Sequence, residues 1–338
     1  MSELARLVDV FASGQHTIYD RICERLTPVS LIRMRRVSRT TYQAVQDFSY
    51  RAFDVNRRLS RFFSDPFAFR SLQARTATLI SGSFALQFFD RTFYPEADLD
   101  LVAAVYTFVR PSDDNESQKV KLQVIVPTVS PFECVITFHS TCVMNAISYN
   151  AAYSLYPYAT FEQRQSLATN PKDRKRAAFR KYAARGWKIL SSLSPLLVPS
   201  ALSDRFFVDQ SRGVVDKHSW VMPLNTDGVT GPEPLSPSST PLTWDPVAEC
   251  SWVLRSIRGE ILEAHMTYFI TSSRILKYRY TAADEDCDIY DGYRGMLIRF
   301  LTSQERLETR KLHSTGEQPG GEIWTWYVPI SRHLRMTH

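Results

Sequence analysis

The sequence predicts an α+β protein with an α/β-type core, in which helices flank a mixed β-sheet. Three observations support this fold class: amphipathic helical spacing near the start, alternating strand-like and helix-like runs from Thr76 onward, and a later stretch rich in Pro, Ser, Thr and Gly. We therefore expect four parts along the chain. They are a helical module over 1–65, a core with a following basic helix over 70–222, a linker or loop over 223–243, and a C-terminal α+β extension that packs on the core over 244–338.

The composition is typical of a globular protein without a membrane segment. The chain has 338 residues, of which 44% are hydrophobic, so it can bury a sizeable core. No run approaches the roughly 20 apolar residues that cross a bilayer, and the start lacks the order of a secretory signal. We therefore expect a cytoplasmic or nuclear protein with no membrane partner.

Five widely spaced cysteines without CxxC spacing predict reduced thiols. A net charge of +6 permits a nucleotide or nucleic-acid partner.

The first part of the chain has the spacing of short helices joined by tight turns. Thr17 is a candidate cap for the first helix, Pro28 is expected to break it, and Ser30 to start the next one. The positions predicted to face inward are Ile18, Ile22 and Leu26 in the first helix, Leu31, Met34 and Val37 in the second, and Tyr42, Val45 and Phe48 in the third.

The segment ICERLTPVSLIRMRRVSRTTYQAV resembles the F-box, a pattern of a leucine-rich helix, a proline-containing turn and an Arg-rich helix ending in Val-Ser. The matching residues are Leu26, Pro28, Leu31, Arg33, Val37 and Ser38; His16-Thr17 stands in place of the usual Leu-Pro opening. The resemblance implies docking to the adaptor of a cullin ubiquitin ligase through residues 17–50. The alternative is a helical cap that only packs on the neighbouring domain.

The core begins with a change of pattern at Thr76. The runs in order are TATLISGS, a strand closed by Gly82-Ser83; FALQFF, a short apolar helix; ADLDLVAAVYTFV, a strand; VKLQVIV, a buried strand; and SPFECVITF, a helix. Ser130 and Glu133 form a capping box at the last of these, with Pro131 at the first helical position. This order of elements predicts a partly mixed sheet.

Two acidic residues in the second predicted strand are the candidate metal ligands. Asp98 and Asp100 are two positions apart, so on a strand they point to the same face, about 7 Å apart. Carboxylate oxygens are the ligands that Mg²⁺ prefers. Gly82 allows a close approach of backbone to phosphate, and Ser83 with the helix start offers hydrogen-bond donors.

The motifs LISGS and DLDLV together resemble the signature of the nucleotidyltransferase (polymerase-beta-like) superfamily. The resemblance implies that Gly82 and Ser83 hold the phosphates of a nucleoside triphosphate and that Asp98 and Asp100 hold Mg²⁺ or Mn²⁺. The implied reaction moves a nucleoside monophosphate to an acceptor hydroxyl by a two-metal mechanism. Active members supply a third carboxylate from a later core strand. The candidate positions here are Gln123 and His139, and neither is acidic.

Three alternatives stay open at this point. His139 is either a catalytic base or a hydrogen-bonded core histidine. In the basic stretch 171–190, Lys181 and Arg185 either face the cleft and neutralise a triphosphate or nucleic acid, with Tyr182 stacking on a base, or belong to a solvated face over packed aromatics. The whole chain is either a transferase or an inactive binding module with a ligase-adaptor site. The combination of an F-box-like helical module with a nucleotidyltransferase-like core resembles a group of proteins from mushroom-forming fungi.

Overall fold

The computed structural model confirms the predicted α+β class. It describes residues 10–12, 14–102, 122–127, 129–169, 176–190, 203–231, 245–257, 263–274, 276, 278–283 and 293–316. Within these residues a six-stranded mixed sheet is flanked by helices, and a smaller antiparallel sheet lies later in the chain.

The N-terminal module consists of short helices whose starts are set by polar caps and prolines. The helices are α1 (His16–Arg25), α2 (Pro28–Met34), α3 (Arg39–Ala52), α4 (Val55–Leu59) and α5 (Pro66–Thr76). Pro28 begins α2, rather than only ending α1, because Thr27 caps this helix by accepting a hydrogen bond from the Ser30 backbone N–H. Ser38 and Thr41 form a reciprocal capping box at α3.

The predicted inward face of α1 is wrong. Tyr19 and Cys23 are buried, whereas Ile18 is 47% exposed and Ile22 is 37% exposed. The hydroxyl of Tyr19 donates to the carboxylate of Asp47 on α3, which turns the Tyr19 face of α1 toward that helix. In the following helices Leu31, Val45 and Phe48 are buried as predicted and Met34 is half-buried, but Val37 and Tyr42 are exposed.

The helical module is bound to the core by specific hydrogen bonds. Arg91, which follows the first core helix, donates to the backbone carbonyls of Cys23 and Leu26 at 2.9 and 2.6 Å. The backbone N–H of Val29 donates to the carboxylate of Glu162 at 2.8 Å. The module therefore packs on the core.

The main sheet is built around a central strand–helix–strand unit. Its strands are β1 (Leu79–Ser81), β2 (Leu99–Val102), β3 (Leu122–Ile125), β4 (Asn145–Ile147), β5 (Ala151–Ser154) and β9 (Trp220–Pro223), in the order β3-β2-β1-β4-β5-β9. Helix α6 (Gly82–Asp90) leaves β1 directly and is almost wholly buried. Strand β2 pairs antiparallel with β1 and parallel with β3, so the sheet is mixed.

Strand β3 was predicted to be buried, and this prediction is wrong. It is an edge strand, and Leu122, Val124 and the following Val126 are exposed. An apolar run is compatible with either a buried or an edge strand, and only the strand order separates the two.

Further helices and a short sheet complete the core. They are α7 (Pro131–Ile136), β6 (Gln165–Leu167), α8 (Arg176–Ala184), β7 (Lys188–Leu190) and α9 (Ser203–Phe206). The predicted cap of α7 is present, since the Ser130 hydroxyl accepts from the Glu133 backbone N–H at 3.1 Å. The Glu133 carboxylate accepts from Tyr268 at 2.8 Å, which ties α7 to the C-terminal part.

The C-terminal part contributes an antiparallel sheet and a long helix. The strands are β8 (Ser211–Gly213), β10 (Ser251–Ile257), β11 (Glu263–Thr271) and β12 (Tyr280–Ala283), in the order β12-β11-β10-β8, followed by α10 (Tyr293–Ser314). Trp252 is fully buried and donates its indole N–H to Tyr156 of the core at 2.9 Å. One hydrophobic cluster therefore includes residues of both sheets. Among the described helices, none combines the length and the apolar character needed to cross a membrane.

A buried arginine fixes the position of α5, the helix that precedes β1. Arg70 is 1% exposed and donates to the Tyr149 carbonyl from Nε at 3.1 Å and from Nη2 at 2.5 Å. Its Nη1 donates to the Asn56 side chain on α4 at 3.0 Å. Burial lowers the pKa of Arg70 to about 10, and the group remains charged at neutral pH.

Replacing Arg70 by methionine should destabilise the fold measurably. We expect Arg70→Met to lower the free energy of unfolding by about 2 kcal/mol, because the Tyr149 carbonyl is left buried without its donor. Urea unfolding followed by circular dichroism measures the change. Arg75→Met, an exposed position on the same helix, is the control and should have little effect. Equal effects of the two substitutions would contradict the assigned role of Arg70.

Candidate functional site

The centre of the candidate site is a close contact between Gly82 and Asp100. Ser81, the last residue of β1, lies opposite Asp100 on β2, and Gly82 turns the chain into α6 with φ +64°. A Cβ added to Gly82 would overlap Oδ2 of Asp100 and would lie 3.0 Å from its Cγ. Only glycine fits both this backbone conformation and this approach of the carboxylate.

The carboxylates and one amide share a face of the sheet. Strand β2 begins at Leu99, so Asp98 directly precedes the strand and Asp100 lies within it; both are half-buried. Leu99 and Leu101 point to the other face, where they pack against α6. In the parallel pairing Gln123 of β3 is the register partner of Asp100, so both side chains are on the same face. Gln123, one of the two candidate positions for the third carboxylate, therefore lies beside Asp100.

The serine of the predicted phosphate motif is less accessible than the carboxylates. Ser83 is 4% exposed, and its backbone carbonyl accepts from the Gln87 side chain at 2.9 Å. The accessible polar groups of this junction are consequently the half-buried Asp98 and Asp100 rather than the serine hydroxyl.

The end of the basic helix lies beside the loop that leads to Asp98. Arg185, just after α8, is 9% exposed and pairs with Glu96 at 2.5 Å. Its guanidinium carbon lies 3.8 Å from the centre of the Tyr94 ring, and its Nη1 is buried without a hydrogen-bond partner. A backbone hydrogen bond and the Arg185 guanidinium hold the pKa of Glu96 below its ordinary value. Arg185 thus fastens the loop before β2 to the end of α8.

The other residues of this helix divide between the core and the surface. Lys181 is exposed, and its ammonium lies 5.9 Å from the Tyr182 ring centre. Tyr182 is buried and packs edge-on against Trp187. Burial raises the pKa of Tyr182, and Asp100 is close enough to raise it further. This packing favours a structural role for Tyr182 over base stacking. Lys181 is an exposed cation close enough to Glu96 to lower the pKa of that carboxyl. Residues 171–175 of the basic stretch lie outside the described residues.

His139 contacts what we call the aromatic seam, which is formed by Phe179, Tyr182 and Trp187 of this helix and its end. Its Nδ1 is 2.7 Å from the Ser140 hydroxyl, and its ring centre is 5.4 Å from that of Phe179 and 5.5 Å from that of Tyr182. His139 is half-buried, and its contacts with Phe179 and Tyr182 place it beside the end of the basic helix.

The donor set suits a hard divalent cation in part. Asp98 and Asp100 offer carboxylate oxygens and Gln123 an amide oxygen, which are the atom types that Mg²⁺ and Mn²⁺ accept. Across the described ranges, however, no three His, Cys, Asp or Glu side chains form a group that could hold a metal ion. The pair fits one cation whose remaining ligands are waters or phosphate oxygens.

Comparison with known proteins does not place the chain in a family. No family model matches it, and neither a curated protein nor a solved structure does. The class of this protein is therefore defined by its own fold and by the geometry of its candidate site. That class is an α+β protein with a carboxylate pair held against a glycine turn at the start of a buried helix.

The sequence did not predict that Tyr94 and Glu96 contact Arg185. Their partner Arg185 is 89 positions from Glu96 along the chain. In the sequence, Tyr94 and Glu96 are notable only because they lie just before Asp98, and this position does not indicate which residue they contact.

The contact between Gly82 and Asp100 is testable by a double-mutant cycle. We expect Gly82→Ala to lower the free energy of unfolding by about 3 kcal/mol, from the positive φ and from the overlap with the carboxylate. In the background of Asp100→Ala, which removes the overlapping atoms, the same substitution should cost clearly less.

Gly213→Ala is the matched control, because a Cβ at Gly213 meets no atom within 4 Å. Thermal and urea unfolding give the four stabilities of the cycle. An equal cost of Gly82→Ala in both backgrounds would show that Asp100 does not restrict position 82.

Proposed function

We propose that the core is a divergent nucleotidyltransferase-like fold that binds a nucleoside triphosphate with one divalent cation, Mg²⁺ or Mn²⁺, and does not transfer the nucleotide. In this proposal Asp98 and Asp100 hold the cation, the backbone at Gly82 and Ser83 faces the phosphates, and Lys181 supplies positive charge. The chain is then a binding module built on an enzyme fold.

The observation that carries the proposal is the register of β2 with its two neighbours. Asp100 lies opposite Ser81, directly before the glycine turn, and beside Gln123 of β3. The carboxylate pair and the helix start therefore meet at one point of the sheet. A nucleotide phosphate bridged by a cation needs this combination of acidic side chains and backbone N–H groups.

One cation, rather than two, fits the residues present. Mg²⁺ usually keeps several waters and takes one or two carboxylates together with phosphate oxygens. When bound here it would neutralise phosphate charge and hold the phosphates in one orientation. A second cation needs a further carboxylate, and the part of the chain that the structure describes brings no third acidic side chain into a metal-binding group with Asp98 and Asp100.

The amide of Gln123 supports the non-catalytic form of the proposal. At this position, beside Asp100, an amide has no charge and does not accept a proton from an acceptor hydroxyl. His139, the other candidate position, contacts Ser140 and Tyr182 and does not supply a carboxylate. In this proposal neither residue acts as the general base of a transfer reaction.

Calorimetric titration with ATP, GTP, CTP and UTP tests the binding site. We expect binding in Mg²⁺ or Mn²⁺ that is lost in EDTA. Asp98→Asn and Asp100→Asn should each weaken it by about tenfold or more, because each removes a charged oxygen ligand. Asp227→Asn, an exposed aspartate in the segment after β9, carries the same charge change and should leave affinity unaltered.

A variant at Gln123 separates the binding module from a transferase. Gln123→Glu keeps the side-chain size and adds a carboxylate beside Asp100, so cation-dependent binding should tighten. Transfer of label from a nucleoside triphosphate by the unmodified chain, abolished by Asp100→Asn, would contradict the non-catalytic part. Absence of any cation-dependent nucleotide binding would overturn the whole proposal.

A second candidate function is docking of the helical module to the cullin-ligase adaptor. It is favoured by exposed apolar side chains in the F-box-like segment, namely Ile18, Ile22, Ile32 and Val37. These side chains are not used to bury the module's own core, which is formed by residues such as Tyr19, Cys23 and Leu31. An apolar surface of this kind is typical of a partner contact.

Co-purification with the adaptor tests this second function. We expect Ile22→Asp and Ile32→Asp each to reduce capture of the adaptor by about tenfold or more, since a charge is placed in an apolar contact. Val215→Asp, at an exposed apolar position between β8 and β9 and outside the helical module, is the control. Leu31→Ala is unsuitable because Leu31 is buried and its loss disturbs packing. Unchanged capture by both isoleucine variants, or no capture by the unmodified chain, would exclude this docking mode.

A further inference from the structure

A cavity of about 920 Å³ lies between the helical module and the core. Helices α1, α3 and α4 form one side, and α6 with the loop after it forms the other. The volume is in the range of small-molecule sites. Neither Asp98 nor Asp100 lines this cavity, so it is separate from the nucleotide site proposed above.

The walls of the cavity carry an excess of positive charge. Seven arginines and four carboxylates line it. Two of the arginines are paired with lining carboxylates, Arg51 with Asp20 at 2.6 Å and Arg164 with Asp90 at 2.8 Å. The other five have no carboxylate partner among the described residues; they are Arg25, Arg57, Arg58, Arg61 and Arg91.

Two of these unpaired arginines are largely buried. Arg58 donates to the Thr92 carbonyl at 3.1 Å, and Arg91 donates to the Cys23 and Leu26 carbonyls. The Nε of Arg91 is buried without a hydrogen-bond partner. Burial lowers the pKa of both guanidinium groups, although arginine stays protonated in proteins. Each guanidinium carbon also lies over an aromatic ring, 5.9 Å from the Phe88 centre for Arg58 and 5.8 Å from the Phe48 centre for Arg91. A partly buried cation without a counter-ion is costly, and an anion beside it offsets that cost.

The remaining wall of the cavity is aromatic. Six phenylalanines line it: Phe48, Phe62, Phe84, Phe89, Phe93 and Phe161. Of these six rings, those of Phe62 and Phe93 present accessible surface, because the other four are buried. The guanidinium carbon of Arg61 lies 5.1 Å from the centre of the exposed Phe93 ring. Charged donors and flat apolar surface therefore occur in one space.

We propose that this cavity binds a small phosphorylated compound, with its phosphate groups on Arg57, Arg58 and Arg91 and its apolar or ring portion against Phe62 and Phe93. The guanidinium fork matches phosphate oxygens in bidentate geometry, which favours phosphate over a simple halide. Because both sides of the cavity belong to different parts of the chain, the bound compound joins the helical module to the core and stabilises their contact.

Calorimetry on the full chain in EDTA buffer, with tripolyphosphate and ADP as probes, tests the proposal. We expect binding of one molecule of either probe without divalent cation, and a rise in melting temperature with probe concentration. Arg58→Gln should weaken binding by about tenfold or more, because a charge-assisted contact is lost. Arg57→Gln, at an exposed position without an ion pair, should weaken binding without affecting folding.

The controls separate this cavity from other sources of phosphate binding. Arg33→Gln and Arg36→Gln remove the same charge from exposed positions of the same module that do not line the cavity, and should leave affinity unchanged. Asp98→Asn should also leave it unchanged, whereas the same substitution should weaken binding at the cation-dependent site. No binding of either probe, or equal loss in the Arg57 and Arg33 variants, would overturn the proposal. If Arg58→Gln fails to fold, the Arg57 variant decides.

Discussion

The arrangement of the candidate site depends on one steric constraint, the approach of the Asp100 carboxylate to the α-carbon of Gly82. The left-handed turn at Gly82 ends β1 and starts α6 in a single residue, so helix and strand directions are set there. The antiparallel pairing of β1 with β2 then places Asp100 opposite that turn. A side chain at position 82 would displace either the helix start or the carboxylate. The nucleotide site proposed here is therefore as rigid as the strand pairing that forms it.

The side chains around this contact include acidic, basic and neutral groups, and we have proposed above that they do not form a complete catalytic site. Asp98 and Asp100 are the acidic side chains at this point, and Lys181 is an exposed cation near Glu96. Arg185 is committed to Glu96 and Tyr94, where it stabilises the loop before the carboxylates. The register partner of Asp100 is the neutral Gln123. The non-catalytic binding site proposed above rests on these charges and on the neutral amide at position 123.

Local features of this fold could be predicted from the sequence, and distant ones could not. The cap at Ser130, the start of α6 at Gly82 and the common face of Asp98 and Asp100 each depend on residues a few positions apart. The orientation of α1 depends on the hydrogen bond from Tyr19 to Asp47, and apolar spacing alone is compatible with a second face. The exposure of β3 depends on the strand order, and the partner of Arg185 lies far away in the chain. No local sequence pattern predicts the arginine-lined cavity, because its two sides come from segments that are separated along the chain.

The hydrophobic cluster shared by the two sheets has a consequence for how the chain folds during synthesis. Leu79 and Val102 of the first sheet pack in the same cluster as Trp252, Leu254 and Leu301. Strand β9 must also reach β5 before the main sheet is complete. Apolar surface of the early strands thus stays open to water until residues near 300 have left the ribosome, a delay of tens of seconds at about 5–20 residues per second. Over that interval the nascent chain is a substrate for chaperones, and the N-terminal helices, whose contacts are local, are complete first.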